Sequence, residues 1–114
     1  MAREILEKGC NAFEEGDIPM AVYCFERAAR LGNGEAQVNL ANIYSDGAEG
    51  VEKNSELAVH WYHLAAKKGI PEAAYNLAIH YLRDSEEVKY KKWILKASSM
   101  GDVDAQEAIK KVKK

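Results

Sequence analysis

The sequence predicts an all-α fold, a solenoid of about three helix-turn-helix repeats plus a C-terminal capping helix. Three observations carry that expectation. Only two prolines occur among 114 residues, and no segment shows the strict alternation of a strand. The segments Ala28-Ala29-Arg30-Leu31-Gly32, Ala65-Ala66-Lys67-Lys68-Gly69 and Ala97-Ser98-Ser99-Met100-Gly101 share one pattern, each followed four residues later by alanine: Ala36, Ala73 and Ala105. Rings and alanines then recur at offsets of three and four, which places them on one helix face.

The repeat extends through both helices of each unit. First helices carry Leu40, Ala41 and Tyr44, then Leu77, Ala78 and Tyr81, with Gly9, Cys10 and Phe13 as a weaker earlier copy. Second helices carry Ala21, Cys24, Phe25, Ala28 and Ala29, then Ala58, Trp61, Tyr62, Ala65 and Ala66, then Tyr90, Trp93, Ile94, Ala97 and Ser98. Alternating bulky and small residues let a side chain on one helix enter the notch on its neighbour. One such hairpin cannot bury its apolar face alone, so hairpins must stack.

The expected helices run near residues 2–15, 18–31, 34–46, 54–68, 71–83, 86–99 and 102–112. Asp17, Asn54 and Asp102 fit as N-caps, since each can accept a bond from an orphan backbone N–H. Pro71 fits a first helical turn, where its missing N–H is no loss. The one long loop is Gly47 to Lys53. We expect a single domain over 1–114, with units of about 1–33, 34–70 and 71–101 and a cap at 102–114.

Composition restricts the function classes. The chain is 47% hydrophobic and 30% charged, as an ordinary globular protein is, and its formal charge of −2 disfavours nucleic acid as a partner. Charges interrupt every short apolar run, so neither a secretory leader nor a membrane span is expected, and a cytoplasmic location follows. Met1 and the charged terminal helix suit a whole solenoid better than a piece of one. Cys10 and Cys24 fall at apolar helix positions and read as buried thiols.

Catalytic and metal chemistry find little support. His60 and His63 stand three apart on one helix, a chelating spacing, but no cysteine or carboxylate completes the set. The run Gly47-Ala48-Glu49-Gly50 lacks the lysine and hydroxyl of a phosphate loop and reads as a turn. Trp61 and Trp93 coincide with packing positions. We therefore expect no enzyme activity, no metal and no cofactor.

The middle copy, Ala36…Leu40-Ala41…Tyr44…Gly47…Gly50-Val51…Asn54…Ala58…Trp61-Tyr62…Ala65-Ala66…Gly69, resembles a Sel1-like repeat, a relative of the tetratricopeptide repeat. The flanking copies depart from that pattern: the first has a short Gly16-Asp17 turn, and the third has Asp84 where a glycine is usual. The resemblance implies a right-handed α-solenoid whose first helices line an inner curve. It also implies an adaptor or scaffold role, or that of a dedicated inhibitor such as a bacterial toxin-neutralising immunity protein.

On that reading the partner is another protein, bound by a monomer or weak homodimer through the concave face. The candidate stripe is Glu7, Asn11, Glu14 and Glu15 in the first unit, Val38, Asn42, Ser45 and Asp46 in the second, and Tyr75, Ile79, Leu82 and Arg83 in the third. Helix 71–83 keeps a polar arc of only Glu72, Asn76, His80 and Arg83, which leaves much of its surface apolar. Residues 1–57 hold 5 basic and 11 acidic groups, whereas residues 58–114 hold 11 basic and 7 acidic. The acidic stripe suits a partner with a cationic and apolar surface. Lys110, Lys111, Lys113 and Lys114 form a basic tail that complements the C-terminal end of the last helix dipole.

Overall fold

The computed structural model describes residues 1–112, so Lys113 and Lys114 of the basic tail lie outside the described residues. Seven helices follow in order: α1 Ala2–Glu14, α2 Ile18–Arg30, α3 Gly34–Asp46, α4 Ser55–Lys67, α5 Pro71–Arg83, α6 Glu87–Ser99 and α7 Val103–Val112. Each begins and ends within one residue of its expected bounds, and no strand forms among the described residues. The three expected caps form: Asp17, Asn54 and Asp102 accept from the backbone N–H of Met20, Leu57 and Ala105. Asn33 caps α3 in the same way, accepting from Ala36 at 2.8 Å.

Four helices end in one shared closure, in which a left-handed glycine turns the chain and the next N–H reaches back five residues. Asn33 N–H donates to the Ala28 carbonyl and Asp102 N–H to that of Ala97, each at 3.0 Å, across Gly32 and Gly101. Gly16 and Gly69 close α1 and α4 likewise. After α5 the left-handed residue is Ser85, at φ 61°, while Asp84 before it keeps an ordinary conformation. The glycine missing from the third copy is thus replaced by a strained serine.

The chain divides into two compact units, Met1–Leu64 and Ala65–Lys114. In the first, α1 packs on α2 and α2 on α3. Ala21, Phe25, Ala28, Leu40, Ala41 and Tyr62 are among its buried residues, as the repeat spacing predicts. Burying a side chain the size of Leu40, which is fully enclosed, contributes roughly 1.5–3 kcal/mol. Gly9 takes the register position that Leu40 and Leu77 fill in the other copies. A Cβ there would sit 2.7 Å from the Phe25 ring, so Phe25 supplies the bulk that Gly9 lacks.

Side-chain bonds then fix neighbouring helices. Gln37 Nε2 donates to the Ala29 carbonyl at 3.2 Å, tying α3 to the end of α2. The buried Tyr62 hydroxyl donates to Asn42 Oδ1, tying α4 to α3. The loop between α3 and α4 folds back through two Ala48–Val51 backbone bonds of 2.9 Å, and Asn54 N–H donates to the Tyr44 carbonyl at 2.8 Å.

In the second unit α5 packs on α6 and α6 on α7, with Leu77, Ala78, Trp93, Ile94, Ala97 and Ala105 buried. His80, placed by its helical angle in a polar arc, is instead buried, its Nε2 3.4 Å from Asp84 Oδ2 one turn on. The Asp84 carboxylate, just past the end of α5, gives this buried histidine a polar partner.

Candidate partner-binding surface

The twelve residues of the candidate stripe do not share one environment. Val38 and Ser45 are 3% and 9% exposed, so neither offers surface to a partner. The reason lies in α3, where seven of thirteen residues are buried: Ala36, Gln37, Val38, Leu40, Ala41, Ile43 and Ser45. The helix is enclosed on more than one side, and only a narrow arc stays open. Asn42 and Asp46 remain on that arc, half-buried and exposed respectively.

In the first unit, the ends of α1 and α3 enclose a groove of about 280 Å³. Phe13, Phe25 and Ile43 give it an apolar lining, and Glu14, Asn42 and Asp46 stand among its polar groups. Phe13 is 47% exposed, an aromatic face open to solvent. The bond from Tyr62 fixes the Asn42 amide, which positions a polar group beside the apolar lining. A second hollow of about 340 Å³, beside Glu7, Asn11 and Glu35, shares Cys10 with the first. Glu15, exposed at the end of α1, lines neither hollow.

Electrostatics match this geometry. Burial, and then the carboxylates of Glu35, Glu14 and Glu7, push the Cys10 thiol above its ordinary pKa. Arg3, which also lines the second hollow, stands 3.7 Å from Glu7 and answers part of that charge, while Glu14 faces the first groove. Cys10 is half-buried and Cys24 buried, so the expectation of two buried thiols holds for Cys24 alone; both are free thiols. Residues 1–64 carry 5 basic and 11 acidic groups, a formal charge of −6. Residues 65–114 carry 11 basic and 7 acidic groups, a formal charge of +4.

In the second unit Tyr75 and Ile79 are half-buried, whereas Leu82 and Arg83 are exposed. Burial first, then Asp104, Asp102 and Tyr90, hold the Tyr75 hydroxyl above the usual phenol range. Sequence reasoning missed Cys10, Phe13 and Asn39 as groove residues. Repeat alignment assigns Cys10 and Phe13 to the core. The first copy's poor match at Gly9 was the available signal that its packing differs. Among the described residues no group of three or more metal-ligating side chains converges, and no helix is long and apolar enough to cross a membrane.

Paired 13-residue helices closed by left-handed turns define an α-helical repeat protein. The Sel1 repeat model matches residues 12–33, 34–70 and 71–90. The chain belongs to the Sel1 repeat family. Among solved structures it is similar to c5321, a protective antigen present in uropathogenic Escherichia coli strains that displays an SLR fold. The match covers 93% of this chain at 32% identity and a TM-score of 0.80. The chain spans only 24% of that protein's length. A Sel1 repeat protein from Oxalobacter formigenes is similar over 96% of this chain and 88% of its own, at 27% identity and a TM-score of 0.75. No curated protein matches the sequence. The fold is thus the all-α solenoid type of these relatives, commonly a protein-interaction module and generally non-enzymatic.

Proposed function

We propose that this chain is a non-catalytic adaptor that binds a partner protein through the open arcs of its first helices. The repeats of about 1–33, 34–70 and 71–101 and the cap at 102–114 serve as one binding domain. The observation that carries this reading is the first-unit groove, where an exposed aromatic ring and an apolar lining lie beside Glu14 and Asp46. That combination fits a segment bearing a lysine or arginine whose aliphatic stem rests on Phe13 while its charge meets the carboxylates. Of the candidate stripe, Glu7, Asn11, Glu14, Asn42 and Asp46 contribute from α1 and α3, and Tyr75, Ile79, Leu82 and Arg83 from α5, while Glu15 lines neither hollow. Val38 and Ser45 drop out.

The test is affinity capture from native lysate with the intact chain and with a Glu14→Lys, Asp46→Lys double variant. Both side chains are exposed, and an unchanged helical circular dichroism spectrum checks that the variant folds. We expect the variant to lose the partner, or to retain it with an affinity at least tenfold weaker, about 1.4 kcal/mol. Equal capture by both proteins rules the groove out.

A further inference from the structure

The solvent face of the second helix carries different chemistry from one repeat to the next. α6 reproduces α2 after 69 residues: Ala97 and Gly101 repeat Ala28 and Gly32, and Gln106 donates to the Ser98 carbonyl as Gln37 does to that of Ala29. In that register the exposed Met20, Tyr23 and Arg27 of α2 correspond to Lys89, Lys92 and Lys96, all three exposed as well. The equivalent positions of α4, 37 residues after those of α2, hold Leu57, His60 and Leu64. A face that is largely apolar and aromatic in two copies is therefore wholly basic in the third.

Aromatic rings hold these ammonium groups. Lys92 and Lys96 each stand 5.9 Å from the centroid of the Trp93 ring, and Lys89 stands 5.4 Å from that of Tyr81. Two like charges one turn apart thus converge on one ring, an arrangement that favours an anion beside them. The carboxylates of the same unit are placed elsewhere. Asp84 pairs with His80, Glu107 pairs with Lys110, and Asp102 caps α7. Asp104 acts on Tyr75, Glu87 lines a groove with Lys91, and Glu72 lies in the first turn of α5. Glu86 acts on the Tyr81 hydroxyl and so answers Lys89 in part. Lys92 and Lys96 are left as the focus, and neither is ion-paired among the described residues.

We propose that the solvent face of α6 is a docking site for an acidic segment of a partner protein, whose glutamates or aspartates meet Lys92 and Lys96 beside the Trp93 ring. Val88 and Leu95, 83% and 58% exposed, lie next to the lysines by helical angle and offer aliphatic contact to the same segment. From Lys89 to Lys96 the stripe spans about 10 Å, room for two or three carboxylates. A nucleic acid or an anionic bilayer extends past so short a stripe and meets a chain of net charge −2, which disfavours both. With a cationic segment in the first-unit groove, the chain joins two partners of opposite charge. The face uses none of the groove residues and stands without them.

The probe is a synthetic peptide of four Glu-Glu-Gly triplets, titrated into the isotope-labelled full chain. Saturable NMR shifts of the Trp93 indole N–H and of the Lys92 and Lys96 amides are expected. Lys92→Gln with Lys96→Gln should weaken the affinity at least fivefold, and Lys92→Arg with Lys96→Arg should restore it. Circular dichroism checks that each variant is folded, and Lys110→Gln with Lys111→Gln, at the end of α7, should leave the affinity unchanged. Absence of shifts at millimolar peptide overturns the site. Equal weakening by the α7 pair also overturns it, because the attraction is then diffuse. So does tighter binding of phosphatidylserine vesicles or of an oligothymidylate of equal charge, because the occupant then belongs to another class. The capture test of the groove neither uses nor alters these lysines, so the two readings fail separately.

Discussion

Single residues in this fold are set by their neighbours more than by their own propensity. Gly9 is the clearest case. In an exposed helix, glycine to alanine gains about 1 kcal/mol, yet here the added methyl meets the Phe25 ring at 2.7 Å. Phe25 is 2% exposed, so the methyl fits only if the ring shifts toward the groove it lines and gives up packing contacts. Gly9→Ala should therefore destabilise the chain by about 1–3 kcal/mol, read as a lower midpoint in urea unfolding. Ser85 behaves in the opposite sense. A left-handed conformation costs a side chain of its kind about 1 kcal/mol, so Ser85→Gly should raise stability by roughly that amount. A thermal scan that shows no gain would mean the serine side chain compensates its own strain.

At the scale of elements, second helices supply the rings and alanines that hold hairpins together, while first helices divide their surface between core and solvent. Trp61 is nearly enclosed, and Trp61→Ala should cost about 3–5 kcal/mol through the cavity it leaves. Tyr62→Phe removes only the hydroxyl, and because Asn42 is half-buried and accessible to water the loss should be nearer 1 kcal/mol. Denaturant unfolding of both variants checks the ranking.

The helices themselves were legible because caps, closing turns and a three-to-four spacing all agree on the same bounds. The rings at 61, 62 and 93 were legible as core for the same reason. The site was only partly legible. Helical angle alone placed Val38, Ser45 and His80 at the surface, because an angle says which residues share a face and not how many neighbours enclose that face. His80 also shows that a polar residue can turn inward when a carboxylate stands one turn along. Phe13 erred in the opposite direction, since repeat alignment assigned it to the core while the first unit leaves it open.

At the scale of the whole molecule, stability should fall at alkaline pH. Burial raises the pKa of Cys10, Tyr44, Tyr75 and Tyr81, with nearby carboxylates adding to the effect. A group whose folded pKa exceeds its unfolded value contributes stability that is complete below the unfolded pKa and disappears as pH rises through the folded one. For the thiol that loss begins near pH 9 and for the phenols near pH 10, since the unfolded chain ionises first. Unfolding free energy measured at intervals from pH 8 to pH 11 should decline across that window. A flat profile would show that these groups are not protected by the fold.

The sorting of charge between residues 1–64 and 65–114 makes the net value of −2 a poor guide to behaviour. A resin bead, a crowded cellular polymer or a chromatographic matrix meets one stretch of surface at a time and not an average. The same molecule should therefore be retained on supports of either sign near neutrality, and modest salt should release it from both.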